Sequence, residues 1–368
     1  MLRFRIGIAA TALAVCLPGP ASGLPTPAGI GKAPPKPTKL QRIARGLVAA
    51  HAPGALAFVR TPKATRSAAA GFAALQPRVR MQARDRYRIA SVTKTFVATV
   101  VLQLAAEGRL SLDDPVARWL PGTVPNGEAI TLRQLLNHTS GLFNYTDDEA
   151  WTNALIADPG RTWKPGELLA VSFSHPALFA SGTNWAYSNT NFVVLGLVIE
   201  AVTGKTLEQE LRTRLFDPLA LHSTSLPAGT PIDEPFAHGY ISLNRTLVDI
   251  TPALGPSWLW AAGGIVSNAA DVTTFFAALF KGRLLPGELL TQMETGSTAS
   301  GAYGLGLALT FTRCGKAYGH EGDIVGWRNV TLSTASGNRV AVVMVNIDTT
   351  YVSWSRLEAA ARSALCSG

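Results

Sequence analysis

The apolar positions change their period along the chain, and the changes outline its elements. Residues 40–50 repeat apolar side chains at helical spacing, which predicts a helix. Residues 55–60 and 67–75 read as short strands around a turn at Pro62-Lys63. Residues 86–90 lead to Ser91, which opens a strongly apolar helix through about Glu107, and Gly108 stops it. From 110 to about 256 the signals are helical pieces joined by Pro/Gly turns, among them 131–137 and 191–203. Asp271 reads as the N-cap of a helix running to Phe280. Strand patterns follow at 303–312, 316–319, 326–333 and 339–346, and 353–365 is a closing helix.

Two strand-rich regions, far apart in sequence, therefore flank a helical middle. The fold class expected is α/β of the α+β kind. A mostly antiparallel sheet is built from both ends of the chain and flanked by the first and last helices, with a central, mostly helical lobe beside it. Residues 39–109 and 257–366 would form the sheet-bearing lobe and 110–256 the helical one. A site is expected in the cleft between them.

The N-terminus changes the picture of where the protein works. Arg3 and Arg5 precede a short apolar stretch, 6–17, and Ala21-Ser22-Gly23 offers small residues for cleavage, so residues 1–23 read as a signal peptide for secretion. A short membrane anchor is the alternative. A lipoprotein attached at Cys16 is disfavoured by the bulky Val15 before it. No later segment looks like a membrane helix, so no stable membrane insertion is expected. Residues 24–38 form a Pro-rich linker carrying Lys32 and Lys36. Removing the signal takes away two arginines and lowers the formal charge from +9 to about +7. Such a protein is attracted to anionic cell-wall polymers. Nucleic acid is not an expected partner, because no compact basic-aromatic motif is present. The densest basic run, Arg78, Arg80, Arg84, Arg86 and Arg88, has alternate spacing that reads as one solvated strand face. Of the three cysteines, Cys16 leaves with the signal. Cys314 and Cys366 are then expected to pair and to pin the last helix to the strand beginning near Cys314.

Three stretches carry candidate chemistry. Ser91-Val92-Thr93-Lys94 sets a hydroxyl and an amine one turn apart on a helix, close enough to hydrogen-bond. Its neighbours are so apolar that Lys94 is not expected to be freely solvated. A desolvated lysine can act as general base for a serine. Tyr187-Ser188-Asn189 supplies a phenol that could relay a proton and an amide that could hold a substrate carbonyl. Alternatively it is an aromatic turn capping the next helix. Gly319-His320-Glu321-Gly322-Asp323 ends an apolar strand, and its glycines let backbone approach a ligand. The N–H groups of Asp323 and Ser91 could together form an oxyanion hole, or the segment is a turn bearing a polar histidine. No Gly-x-Ser-x-Gly elbow occurs, nor a metal-binding His-Glu-x-x-His or cysteine cluster, and Gly304-Leu305-Gly306 lacks the third glycine of a dinucleotide loop. No cofactor and no metal are expected.

The ordered set Ser91-x-x-Lys94, Tyr187-x-Asn189 and His320-x-Gly322 resembles the penicillin-recognising serine hydrolases, which include DD-peptidases, class C β-lactamases and related esterases. Tyr87-Arg88-Ile89-Ala90 before the serine, Leu135-Leu136-Asn137-His138-Thr139-Ser140-Gly141-Leu142 and Tyr303-Gly304-Leu305-Gly306-Leu307 extend the resemblance over about residues 40 to 366. In look it is similar to secreted serine D-alanyl-D-alanine carboxypeptidases, which also carry His in the third motif and a similarly placed disulfide. The resemblance implies that Ser91 is the acylated nucleophile and Lys94 its base. It further implies that Tyr187 handles the leaving-group proton, Asn189 holds the substrate amide and His320 supplies a tunable positive group. The other five histidines carry no expected catalytic role, and His138 is read as a loop brace. Implied partners are small peptide or ester substrates, peptidoglycan and β-lactams. An esterase, D-amino-acid amidase or β-lactamase on the same scaffold is the close alternative, and a non-catalytic penicillin-binding module the distant one. The oligomeric state is open, with a monomer as the default. Two positions depart from the carboxypeptidase pattern. Glu321 and Ala308 stand where those enzymes carry a hydroxyl residue and an arginine that grip a free carboxylate. A carboxylate at 321 is expected to repel an anionic terminus and to favour neutral or amine-bearing substrates.

Overall fold

The computed structural model describes residues 36–348 and 351–367. The signal peptide, Cys16 and most of the Pro-rich linker lie outside them. The N-terminal part contributes α1 (Lys39–Ala49), β1 (Gly54–Arg60), β2 (Thr65–Leu75), β3 (Arg78–Arg80), β4 (Tyr87–Arg88) and α2 (Thr93–Ala106). The middle holds α3 (Leu132–Leu136), α4 (Glu149–Ala157), α5 (Pro165–Phe173), α6 (Asn189–Thr203) and α7 (Leu207–Leu211), then the hairpin of β5 (Tyr240–Leu243) and β6 (Thr246–Asp249). β7 (Val266–Ser267), α8 (Ala269–Phe280), α9 (Gly287–Glu294), β8 (Ala308–Thr312), β9 (Gly315–Ile324), β10 (Trp327–Thr334), β11 (Val340–Val345) and α10 (Trp354–Leu365) complete the chain.

Strands from both ends interleave in one antiparallel sheet ordered β3-β2-β1-β11-β10-β9-β8, as the strand patterns require. Side chains alternate across a strand, so the sheet has two apolar faces. Ala55, Ala57, Val59, Ala341 and Val343 face outward onto Leu40, Ala44 and Leu47 of α1 and Leu357, Ala361 and Ala364 of α10. Leu56, Phe58, Val340, Val342 and Met344 face inward and join one continuous core with α2, α6 and α8. α2 is buried on nearly every side, which explains why its sequence is apolar without an amphipathic stripe. Among the described residues, no single helix is long and apolar enough to cross a membrane.

The structure corrects several expected boundaries. Asn268, not Asp271, caps α8 by accepting the Asp271 N–H. Asp271 instead accepts from Ser223 N and Thr224 Oγ1, tying the helix start to a neighbouring loop. Strand pairing in 303–312 begins properly only at Ala308. Gly306 sits at φ +70° with space for no side chain, its notional Cβ 2.6 Å from that of Ala98 on α2. The arginine run does not lie on one solvated face. Arg78, Arg80 and Arg84 are exposed, whereas Arg88 is buried and donates to the carbonyls of Thr230 and Leu254.

Cys314 and Cys366 form the expected disulfide, joining the β8–β9 turn to the end of α10. It closes a loop spanning 52 residues. In the chain-entropy model such a loop stabilises by about 4 kcal/mol. Cys314→Ser is therefore expected to lower the thermal midpoint by about 8 °C, and a calorimetric scan of both proteins without reductant measures it.

Candidate active site

Ser91 lies in a 3-10 turn, Ala90–Val92, that runs into α2, and it is half-buried. The residue before it, Ala90, is held at φ +49° with no exposed surface. A left-handed alanine costs about 1–2 kcal/mol, so the turn is shaped by what surrounds it. Ile89 donates its N–H to Ile265 O at 3.0 Å, and its own carbonyl accepts from Asn329 Nδ2 of β10 at 3.2 Å. Gly322 of β9 brings the sheet edge against the same carbonyl. A Cβ there would lie 2.2 Å from Ile89 O, so glycine alone fits.

Lys94, one turn on, is buried. Its Nζ lies 3.0 Å from Ser91 Oγ, 2.7 Å from Asn189 Oδ1 and 2.7 Å from Ala262 O. Burial pushes the amine well below the ordinary lysine value. A neutral amine has two N–H donors and one lone pair. The two carbonyl oxygens can only accept, so they take both donors and leave the lone pair to the Ser91 hydroxyl. Tyr187 also hydrogen-bonds Ser91, and its ring centroid is 4.8 Å from Lys94 Nζ. Loss of hydration holds its phenol above the usual value, in the protonated form. The four groups expected to meet are thus assembled: α2 brings Ser91 and Lys94, the loop before α6 brings Tyr187, and β9 brings His320, whose ring centroid is 6.4 Å from that of Tyr187.

Asn189 also reaches the base expected for Ser91. It begins α6, its Oδ1 receives Lys94 and its Nδ2 donates to Thr146 Oγ1 at 3.2 Å. The amide therefore holds Lys94 through its oxygen, and one of its two N–H donors is taken by Thr146 while the other remains for a substrate carbonyl.

His320 is a clearer correction. Its Nδ1 is 2.6 Å from Glu321 O and its Nε2 is 2.8 Å from Tyr303 Oη. A carbonyl only accepts, so Nδ1 carries the hydrogen and Nε2 accepts from Tyr303. Burial, the largest cause, depresses its pKa to about 3. The imidazole is neutral and supplies no positive charge. The strand also differs from expectation: it continues through the motif, because Glu321, Gly322 and Asp323 pair with Val330, Asn329 and Arg328 of β10.

That alternation puts His320 and Gly322 on the inner face and Glu321 and Asp323 on the outer one. Glu321 hydrogen-bonds Glu358 of α10, and burial followed by that neighbour raises its pKa to about 7, partly offset by Arg328 and Arg362. The full carboxylate expected at 321 is therefore a shared, partly protonated one near neutrality. A 190 Å³ cleft on this side is lined by Ala308, His320, Glu321, Glu358 and Arg362. Asp323 sits beside Arg328, 3.6 Å from its Nε. A 630 Å³ cavity in the helical region, lined by Phe143, Phe179 and His175, touches none of the four assembled groups. Tyr303 was visible only as part of a phrase. Ala262 had no signal at all, because a main-chain carbonyl leaves no mark in a sequence.

A family model described as Beta-lactamase matches residues 40–365. The chain belongs to the β-lactamase family. Within that family it is a serine hydrolase similar to a D-stereospecific amidohydrolase from Streptomyces sp., at 39% identity over 87% of this chain and 97% of that one, with a TM-score of 0.80. The D-amino acid amidase of Ochrobactrum anthropi SV3 shares 27% identity over 89% and 96% of the two chains, with a TM-score of 0.79. The putative penicillin-binding protein PbpX of Bacillus subtilis is 28% identical over 83% of this chain and 74% of its own length. The D-aminopeptidase of Brucella anthropi is 29% identical, but this chain spans only 56% of its length.

Proposed function

We infer that this β-lactamase-family hydrolase cleaves amides of D-amino acids through an acyl-enzyme on Ser91. The observation that carries the reading is the three-way setting of Lys94, whose only free valence points at the Ser91 hydroxyl. In acylation Lys94 takes the Ser91 proton as Oγ bonds to the substrate carbonyl carbon. The main-chain N–H groups of Ser91 and Asp323 receive the oxyanion. The C–N bond then breaks as Tyr187 gives its proton to the departing nitrogen and regains one from the Lys94 ammonium. Water attacks the ester in turn and releases the acid. His320 acts here as a neutral wall of the site.

The substrate reading draws on the amidohydrolase and amidase relatives and on the outer cleft. Ala308 brings no cation to a free carboxylate, and Arg362 is already paired with Glu358 at 3.1 Å. These features favour an amine-bearing substrate over the D-alanyl-D-alanine terminus that the sequence alone put first. A disulfide in the folded chain supports export. Ammonia release from D-amino-acid amides, measured beside D-alanine release from a D-alanyl-D-alanine peptide, tests the reading. The first should exceed the second at least tenfold in kcat/KM, and the reverse order would assign the protein to the carboxypeptidases.

Glu321 gives this a pH signature. Its folded pKa of about 7 means that the carboxylate, and with it attraction for an ammonium, is present above neutrality and lost below it. KM expressed for the ammonium form of a D-amino-acid amide is expected to fall by about threefold between pH 6 and 8, an effect of the size given by a partly exposed charge pair. In Glu321→Gln that dependence should vanish, as steady-state kinetics across the range would show.

A further inference from the structure

His138 is buried and sits at φ +63° just after α3. It touches both neighbours of Tyr187. The Ala186 N–H donates to the His138 carbonyl at 3.1 Å, and the Ser188 N–H donates to His138 Nδ1 at 3.2 Å. Between these two ties the imidazole packs against the Tyr187 ring with centroids 4.4 Å apart, and Tyr303 lies on it at 4.8 Å. We propose that His138 is the positioning residue for Tyr187, holding the phenol on Ser91 by gripping the backbone on either side of it.

The hydrogen-bond arithmetic supports a role beyond filling space. Nδ1 accepts a main-chain N–H, so the imidazole is neutral with its hydrogen on Nε2. That Nε2 is buried and has no hydrogen-bond partner. An aliphatic side chain would avoid the unpaired donor, but it would leave Ser188 without its acceptor. Burial holds His138 well below the ordinary histidine value and keeps Nδ1 free to accept. No atom of His138 need reach the substrate. Its influence passes through Tyr187.

This rests on the reading of Tyr187 as proton donor to the leaving group, and it makes a distinction that a merely structural role does not. The nitrogen of an amide leaves only when protonated, whereas nitrophenolate leaves as an anion. Misplacing Tyr187 therefore damages amide hydrolysis far more than hydrolysis of a nitrophenyl ester. His138→Phe keeps a ring without the acceptor. His138→Asn keeps an acceptor where Nδ1 stood, without the ring. For His138→Phe in the full chain, kcat on a D-amino-acid amide is expected to fall about 100-fold, the scale of general-acid catalysis, with KM changed less than threefold. On 4-nitrophenyl acetate the fall should be about fivefold or less. His138→Asn should recover about tenfold of the amide loss. Equal losses on both substrates, or no recovery by asparagine, would overturn the proposal. If the phenylalanine variant does not fold, His138→Asn decides alone: an amide-biased loss supports the inference and an equal loss refutes it. Tyr187→Phe is the reference. If it shows no amide bias, the proton-donor reading fails and this inference with it. If it does and His138→Phe does not, His138 alone is rejected.

Discussion

Ser91→Ala is expected to leave a folded protein that no serine-directed probe labels. The hydroxyl contributes little packing, since Ser91 is only half-buried and its oxygen contacts Lys94 and Tyr187 rather than the core. Its loss removes the atom proposed to form the acyl bond. Turnover should drop by about 10⁵-fold or more, the range found when a covalent nucleophile is deleted. Intact-mass measurement after exposure to a fluorophosphonate or a fluorescent penicillin checks the first part, and a thermal melt the second. An adduct on the alanine variant would remove Ser91 from the mechanism.

Lys94→Met is the second large effect and separates the base from the nucleophile. Methionine fills similar volume but offers no lone pair, so kcat should fall about 10³-fold, within the span of general-base catalysis. Slow labelling by a highly reactive fluorophosphonate should survive. The pH dependence carries the sign. With Lys94 proposed to work as the neutral amine, activity should be lost as pH falls through its depressed folded pKa. Stability is linked to the same group. Between the folded pKa and the ordinary lysine value of about 10.4 the unfolded chain binds one more proton than the folded one, so this residue makes stability rise with pH across that window. Chemical denaturation at several pH values should show that rise in the native protein and its loss in Lys94→Met. An unchanged slope would mean that Lys94 is charged in the fold.

The pair at the centre of these predictions was legible because it is local. A serine and a lysine three residues apart on an apolar helix meet by helical geometry alone. The strands and the antiparallel sheet were legible from period, and the paired cysteines from their number. Legibility ended where tertiary surroundings decide. The Gly-His-Glu-Gly-Asp stretch has the composition of a turn, yet β10 supplies a partner for each residue and keeps it a strand. The charge on His320 depends on burial and on Tyr303, and neither is written near residue 320. Asp271 has the chemistry of a cap, but Asn268 three residues earlier reaches the helix end first. The contacts of Asn189 with Lys94 and Thr146 had no sequence signal, because they depend on where α6 is packed against α2 and the 144–147 turn.

Residues 320 and 321 are neighbours in sequence but look to opposite sides of one strand. The inward side carries the proposed chemistry. The outward side meets α10 and a small cleft. Selectivity in such an arrangement can drift by exchanging groups on the sheet exterior while the reacting atoms stay where they are. One scaffold could then change clients without rebuilding its engine.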